Sequence, residues 1–247
     1  MPARLARVRV VLSHTSHPGN IGAVARAMKT MGLAQLYLLN PKCFPHAEAT
    51  ARASGADDLL AHAVVCADLD EALAGCRLVL GASARERRIP CPVIGPADCA
   101  RRTVETAAQG EVALLFGCEQ SGLSNREIDR CHYLVRIPTN PEYGSLNLAA
   151  AVQILGYEVR VASLAGAAAA AGGVHVPVSA DEMERFYVHL EQTLAQLGFL
   201  NPAHPRQLMR RLRRLYNRAR PDENEVNILR GILTATQEHL QRNVRGQ

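Results

Sequence analysis

The chain has 247 residues, enough for one large domain or a domain with an appendage; 48% are hydrophobic and 21% charged. Its net charge of +5 suits an anionic partner without requiring one, and Ala, Leu and Val in place of aromatics (no Trp) disfavour an all-β fold. Seven scattered cysteines without a C-x-x-C pair argue for reduced thiols, against a disulfide framework or a zinc site, and predict no metal. No signal-like apolar region and no run near ~20 apolar residues is present, so a cytoplasmic protein without membrane contact is expected.

In chain order, "VRVVLS" (8–13), "LYLL" (36–39), "AVVC" (63–66), "RLVLGA" (77–82), "VALLFG" (112–117) and "YLVRI" (133–137) are short and rich in Val and Leu, as strands buried on both faces should be. Between them "NIGAVARAMKTMG", "DLDEALAGC", "ADCARRTVETAAQG" and "SNREIDRC" read as helices. This alternation predicts an α/β domain over residues 1–166, built on a mainly parallel sheet flanked by helices. A ligand is expected beyond the carboxyl ends of the strands. A long helix, "SLNLAAAVQILGYEVRVASLAG", closes the domain, and low-complexity residues 167–180 form a linker. An all-α extension follows over 181–247, with helices at 181–198, 205–219 and 222–242 punctuated by Pro202, Pro205 and Pro221.

Four stretches carry polar groups at strand ends. In "HPGNIGAVARAMKTMGL" a helix from Ile21 would bury Ile21, Val24, Ala25, Met28 and Met31, with Asn20 as its cap. Gly22 and Arg26 share another face, and a helical glycine costs about 1 kcal/mol against alanine. The glycine is expected to let a phosphodiester backbone approach Arg26. "LLFGCEQSGLSNREID" has the G-x-x-x-x-G spacing of a P-loop, but Leu123-Ser124 stands where Lys-Ser is needed. "VRIPTNPEYGSLNLAAAVQIL" runs from a strand through a Pro- and Gly-rich loop into the long helix, with Ser145 as its cap and Asn147 in its first turn. Tyr143 in that loop either stacks on a base or packs. "GASARERR" places small residues after a strand, then Arg85, Arg87 and Arg88. The absence of G-x-G-x-x-G and of G-x-S-x-G disfavours the nicotinamide reading and weakens the hydrolase one.

Together and in this order, "NIGAVARAMKTMGL", "FGCEQSGLSN" and "IPTNPEYGSLNLAAAVQIL" resemble the three signature motifs of the SPOUT superfamily of RNA 2′-O-ribose methyltransferases. The closest resemblance is to its TrmH/TrmJ group, and "LEQTLAQLGFLNP" with the arginine-rich segment after it resembles the bacterial TrmJ appendage. The resemblance implies a trefoil-knotted sheet and a homodimer with active sites at the subunit interface. It also implies methyl transfer from S-adenosyl-L-methionine to the ribose 2′-hydroxyl of C or U at position 32 of the tRNA anticodon loop. Cofactor contacts fall on Ala82, Ser83 and Ala84; on Gly117, Glu119 and Gly122; and on Ile137, Pro138, Gly144, Ser145 and Leu146. The family's catalytic motif falls on Asn20, Arg26, Glu119, Ser145 and Asn147. His14 stands where relatives carry an acid.

Guanidinium stays protonated at any working pH, so Arg26 is expected to orient phosphate and stabilise charge before it serves as a base. Arg26, Lys29 and Arg85 are the expected RNA contacts near the site. In the tail, Arg206, Arg210, Arg211, Arg213, Arg214, Arg218 and Arg220 crowd a segment free of acids from Gln192 to Pro221. An apolar stripe of Leu208, Leu212 and Leu215 is expected to turn them outward, with Arg210, Arg211, Arg213, Arg214 and Arg218 on tRNA phosphates. Another RNA substrate, ribosomal RNA included, and a noncatalytic RNA-binding module are the alternatives.

Overall fold

The computed structural model describes residues 4–84, 91–165, 177–203 and 207–245. Its strands are Val8–Ser13 (β1), Gln35–Leu39 (β2), Val64–Cys66 (β3), Cys76–Ala82 (β4), Val93–Ile94 (β5), Glu111–Phe116 (β6) and Tyr133–Val135 (β7). They form one sheet in the order β3-β2-β1-β6-β4-β7-β5, and every adjacent pair is parallel. All carboxyl ends therefore lie along one edge. The central strands β1 and β6 are buried along almost their whole length, as their unbroken apolar runs require.

One face carries Pro18–Met31 (α1), Ala47–Ala53 (α2), Pro96–Ala107 (α5) and Leu148–Ala165 (α7), which share a core with Val10, Leu12, Leu80 and Leu114. The short helix Asp57–Ala61 (α3) adds Leu59 to it. The other face carries Leu69–Leu73 (α4) and Asn125–Arg130 (α6) over Val11, Val79, Ala113 and Leu115. By length and composition α7 is apolar enough to cross a membrane. Here it is a core helix, burying Val152, Leu155 and Val159 against the sheet layer.

The α/β class with a helical extension holds, and six of the seven strands fall where the sequence pattern puts them. The two-residue β5 and the helices α2 and α3 are additions. Helix α1 starts at Pro18, in the first-turn position where a missing N–H is harmless, and stops at Gly32 in the left-handed region (φ 76°).

Ala180–Gln196 (α8), Leu208–Ala219 (α9) and Glu223–Arg245 (α10) form the extension. They enclose a small core of Val178, Met183, Phe186, Tyr187, Leu190 and Val226, with Phe186 edge-on to Tyr216 at 4.8 Å. The extension docks at the amino end of β4, opposite the ligand edge of the sheet. Gly75 donates its N–H to Asp181 Oδ1 (3.1 Å) and Arg77 Nη1 donates to the Pro177 carbonyl (2.8 Å).

Candidate active site

Beyond the carboxyl ends of β4, β6 and β7 three loops enclose a cavity of about 440 Å³, within the range of small-molecule sites. Ala82, Ser83 and Ala84 come from the first loop; Gly117, Glu119 and Gly122 from the second; Ile137, Gly144, Ser145 and Leu146 from the third. Pro138 is not among the lining residues. Phe116, Cys118, Gln120, Thr139, Tyr143, Leu148 and Ala151 line it as well. The second loop folds back on itself through a Gly122 N–H bond to the Cys118 carbonyl at 2.7 Å. A Cβ on Gly117 would stand 2.2 Å from the Gly122 carbonyl carbon, and Gly122 holds φ at 67°, so both glycines are required by the turn.

Glu119 ties this loop to the start of α1. Its carboxylate accepts from Ser16 N (3.0 Å), Ser16 Oγ (3.1 Å), His17 N (3.4 Å) and Asn20 Nδ2 (2.9 Å). Burial pushes its pKa up, but the bonds from Asn20 and Ser16 outweigh this and hold it below the ordinary glutamate value. A carboxylate at a helix amino terminus is also favoured by the helix dipole. Asn20 Oδ1 in turn accepts from Asn147 Nδ2 at 3.3 Å. Asn147 Oδ1 accepts from Ala149 N at 2.9 Å, which makes Asn147 the cap of α7.

Two cap assignments are thereby corrected. Asn20 lies inside the first turn of α1 and spends its amide on Glu119 and Asn147. Ser145 precedes α7 and lines the cavity, leaving the capping to Asn147.

Arg26 lies six residues beyond Asn20, about 9 Å along α1, exposed and outside the cavity lining of this chain. The expected reason for Gly22 is overturned. A Cβ there would stand 2.0 Å from the Ala49 carbonyl oxygen, so the glycine admits the backbone of α2, and no nucleic acid can reach it. Lys29 is engaged within the chain, donating to Asp58 Oδ1 (2.7 Å) and to the Gly55 carbonyl (2.8 Å). His14 adopts φ 52° and its Nδ1 lies 2.7 Å from Ser13 Oγ. Tyr143 is 83% exposed, which removes the packing reading for it. Arg85, Arg87, Arg88 and Arg206 lie outside the described residues.

In the extension the expected outward turn of the arginines fails for three of them. Arg214 is buried and donates to the carbonyls of Ile128 (2.8 Å) and Cys131 (3.3 Å) and to Asp129 Oδ1 (3.3 Å). Arg210 Nε pairs with Asp129 Oδ2 at 2.8 Å. Arg213 makes two 2.6 Å bonds to Glu184 and lies 4.4 Å over the Tyr187 ring. With Asn217 they occupy i, i+3, i+4 and i+7, a polar stripe at helical spacing that faces inward, while Leu215 is 47% exposed. Arg211 and Arg218 point to solvent. Arg220 is half-buried; burial lowers its pKa, against the pull of Tyr133.

Residues 7–157 match the SpoU rRNA Methylase family, and residues 181–245 match the tRNA methyltransferase TrmJ, C-terminal domain. A tRNA (cytidine/uridine/adenosine-2′-O-)-methyltransferase TrmJ of Pseudomonas aeruginosa is 56% identical over 243 residues, covering 94% of this chain and 95% of that protein. A tRNA (cytidine/uridine-2′-O-)-methyltransferase TrmJ of Yersinia enterocolitica is 54% identical, covering 94% of this chain and 91% of its own length. The crystal structure of TrmJ from Z. mobilis superposes with a TM-score of 0.82 at 32% identity, over 94% of this chain and all of that one (100%).

Proposed function

The chain belongs to the SpoU methylase family, and from that membership we propose that it is a tRNA 2′-O-methyltransferase using S-adenosyl-L-methionine. Its target is the ribose of cytidine or uridine at position 32, where the anticodon loop begins. The observation that carries this reading is the junction of the three-loop cavity with α1 through Glu119, Asn20 and Asn147, in a chain that also bears the TrmJ-type extension.

The lining chemistry fits the cofactor. Ala82, Phe116, Ile137, Leu148 and Ala151 give apolar wall, Ser83, Thr139 and Ser145 give hydroxyls, and the glycines bring backbone to the surface. Among the described lining residues Glu119 is the one acid and there is no base, a balance that suits a sulfonium and not a triphosphate. When bound, S-adenosyl-L-methionine supplies an electrophilic methyl group on that sulfonium.

The chain's own residues then hold and orient. Glu119 fixes the second loop against the amino end of α1, and Asn147 fixes the third. Arg26, exposed and permanently charged, grips the phosphate beside the target ribose and stabilises charge as the 2′-oxygen becomes nucleophilic. Tyr143 at the rim offers a face to the neighbouring base.

Arg26 lies outside its own cavity, which supports a homodimer in which α1 of one subunit serves the cavity of the other. Tyr157, Val161 and Leu164, at i, i+4 and i+7 on α7, are 45–64% exposed and supply an apolar face for that contact. The extension adds Arg211 and Arg218 as phosphate contacts, and the compartment is the cytoplasm, where tRNA is the substrate.

Unmodified tRNA incubated with labelled cofactor tests the reading. Label on the ribose at position 32 is expected; cofactor binding without label on any tRNA would sink it. Sedimentation should show a dimer.

A further inference from the structure

The ligand edge continues past the cavity. Beside β6 in the sheet lie β1 and then β2, and the residues just beyond those two strands form a shelf next to the Glu119 hub. The Lys42 N–H donates to the Thr15 carbonyl at 3.0 Å, which joins the loop after β2 to the loop that enters α1. Helix α2 lies over the first turns of α1. A Cβ on Gly19 would stand 2.6 Å from Glu48 Oε1 and 3.6 Å from Arg52 Cγ, and one on Gly22 would meet the Ala49 carbonyl. Gly19, Gly22 and Arg26 recur at i, i+3 and i+7, so Arg26 lies on the face of α1 that α2 packs against. It stands about 10 Å along α1 from the turn that Arg52 crosses.

This shelf exposes His14, His17, Lys42, His46 and Arg52. Its histidines are committed within the chain. Nδ1 of His14 lies 2.7 Å from Ser13 Oγ, that of His17 lies 3.7 Å from Glu48 Oε1, and that of His46 accepts from Glu48 N at 3.1 Å. Its carboxylates are committed as well. Glu119 is held by four donors. Glu48 precedes Arg52 by four residues, the favourable order for a helical ion pair, yet it turns to His17. Among the described residues neither Lys42 nor Arg52 makes an ion pair, whereas Lys29 is neutralised by Asp58. Two uncompensated cations therefore flank the start of α1, on the helix that carries Arg26. A polyanion held at Arg26 finds its next positive charges there.

We propose that Lys42 and Arg52 hold backbone phosphates of the RNA strand that Arg26 grips, so that the β1–β2 end of the ligand edge is the track on which the strand lies. This rests on the tRNA reading above and adds to it the path of the strand. Such contacts fix position and register and carry no base preference.

Full-length protein and unmodified tRNA provide the test. The double variant Lys42→Ala/Arg52→Ala should weaken tRNA binding roughly tenfold at about 0.1 M salt, and lower the slope of log affinity against log salt by about two, one for each cation. KM for tRNA should rise while kcat and cofactor affinity stay at wild-type values, because neither side chain touches the reacting atoms. Arg52→Lys should keep both affinity and slope, since a phosphate contact needs the charge and not the guanidinium fork. Circular dichroism confirms that each variant is folded.

Wild-type affinity and salt slope in the double variant would overturn the track while leaving the tRNA reading intact. A lower kcat at unchanged KM would also overturn it, and a changed oligomeric state by sedimentation would reassign the two cations to a subunit contact. If wild-type protein neither binds nor methylates tRNA, both readings fall together.

Discussion

The ligand edge of the sheet and its opposite edge are built on different physics. At the ligand edge small residues and backbone enclose space, and one carboxylate with four donors holds the loops in place. At the other edge the extension is docked by polar contacts: Arg214 on the last carbonyls of α6, Asn217 on the Asp129 carbonyl, and Glu184 against Arg130. Arg210 adds a further pair with Asp129. The first edge is walled by small residues and backbone; the second is held by paired charges. Changes at the ligand edge should therefore be read in rates, and changes at the docking edge in stability.

Substitutions that move one readout without the other test this division. The largest effect belongs to Arg26→Ala, expected to lower methyl transfer by about 10³-fold, the scale of a lost charge-stabilising donor, with stability within ~0.5 kcal/mol of wild type. Initial rates and urea denaturation measured together decide it, and a comparable loss of stability would break the comparison. Next is Arg214→Met, expected to lower the unfolding free energy by about 3 kcal/mol, since buried carbonyls and part of Asp129 lose their donor.

The third effect is a pH dependence. His132 is buried beside the extension, where its Nδ1 accepts from Val79 N at 3.0 Å. Burial first, then the charges of Arg220 and Arg130, press its pKa down to about 3. The unfolded chain binds a proton at this residue near pH 6.5 and the folded chain refuses it. Stability should thus fall as pH drops below 6.5, at a limiting slope of about 1.4 kcal/mol per pH unit, until the folded value is reached. His132→Asn keeps an acceptor for Val79 and cannot charge, so its urea midpoints between pH 7 and 4 should fall less steeply. Parallel curves would remove His132 from the account. The smallest effect is that of Arg211→Ala, which should leave unfolding unchanged and reduce the salt slope of tRNA binding by about one.

How far the sequence alone reached follows the same division. Strands buried on both faces announce themselves, and β1, β2, β4 and β6 were legible as apolar runs. Helices α2 and α3 were not, because their buried positions are mostly alanine: Ala49, Ala53 and Ala56, joined by Leu59, give little hydrophobic contrast. With α2 unseen, the contact that requires Gly22 was unseen too, and the glycine was credited to a ligand. The cavity residues were legible through the order of three motifs. The Glu119 hub depends on side-chain partners about 100 or more residues away, which no local pattern carries, while the switch of capping from Ser145 to Asn147 is local and turns on α7 beginning at Leu148. On α9 the leucines drew attention as the buried face, while the stripe that turns inward is Arg210, Arg213, Arg214 and Asn217. Its meaning lay in Asp129 and Glu184, outside the helix itself.

Asp129 has a consequence of its own. It places negative charge in the last turn of α6, where the helix dipole already disfavours an anion, and the extension brings the two guanidiniums that compensate it. The extension thus compensates a charge that belongs to the sheet domain. In a shortened version ending near residue 166 Asp129 would lose both guanidiniums and face water, a cost of about 0.3–1 kcal/mol that exchange for a neutral or basic residue should recover.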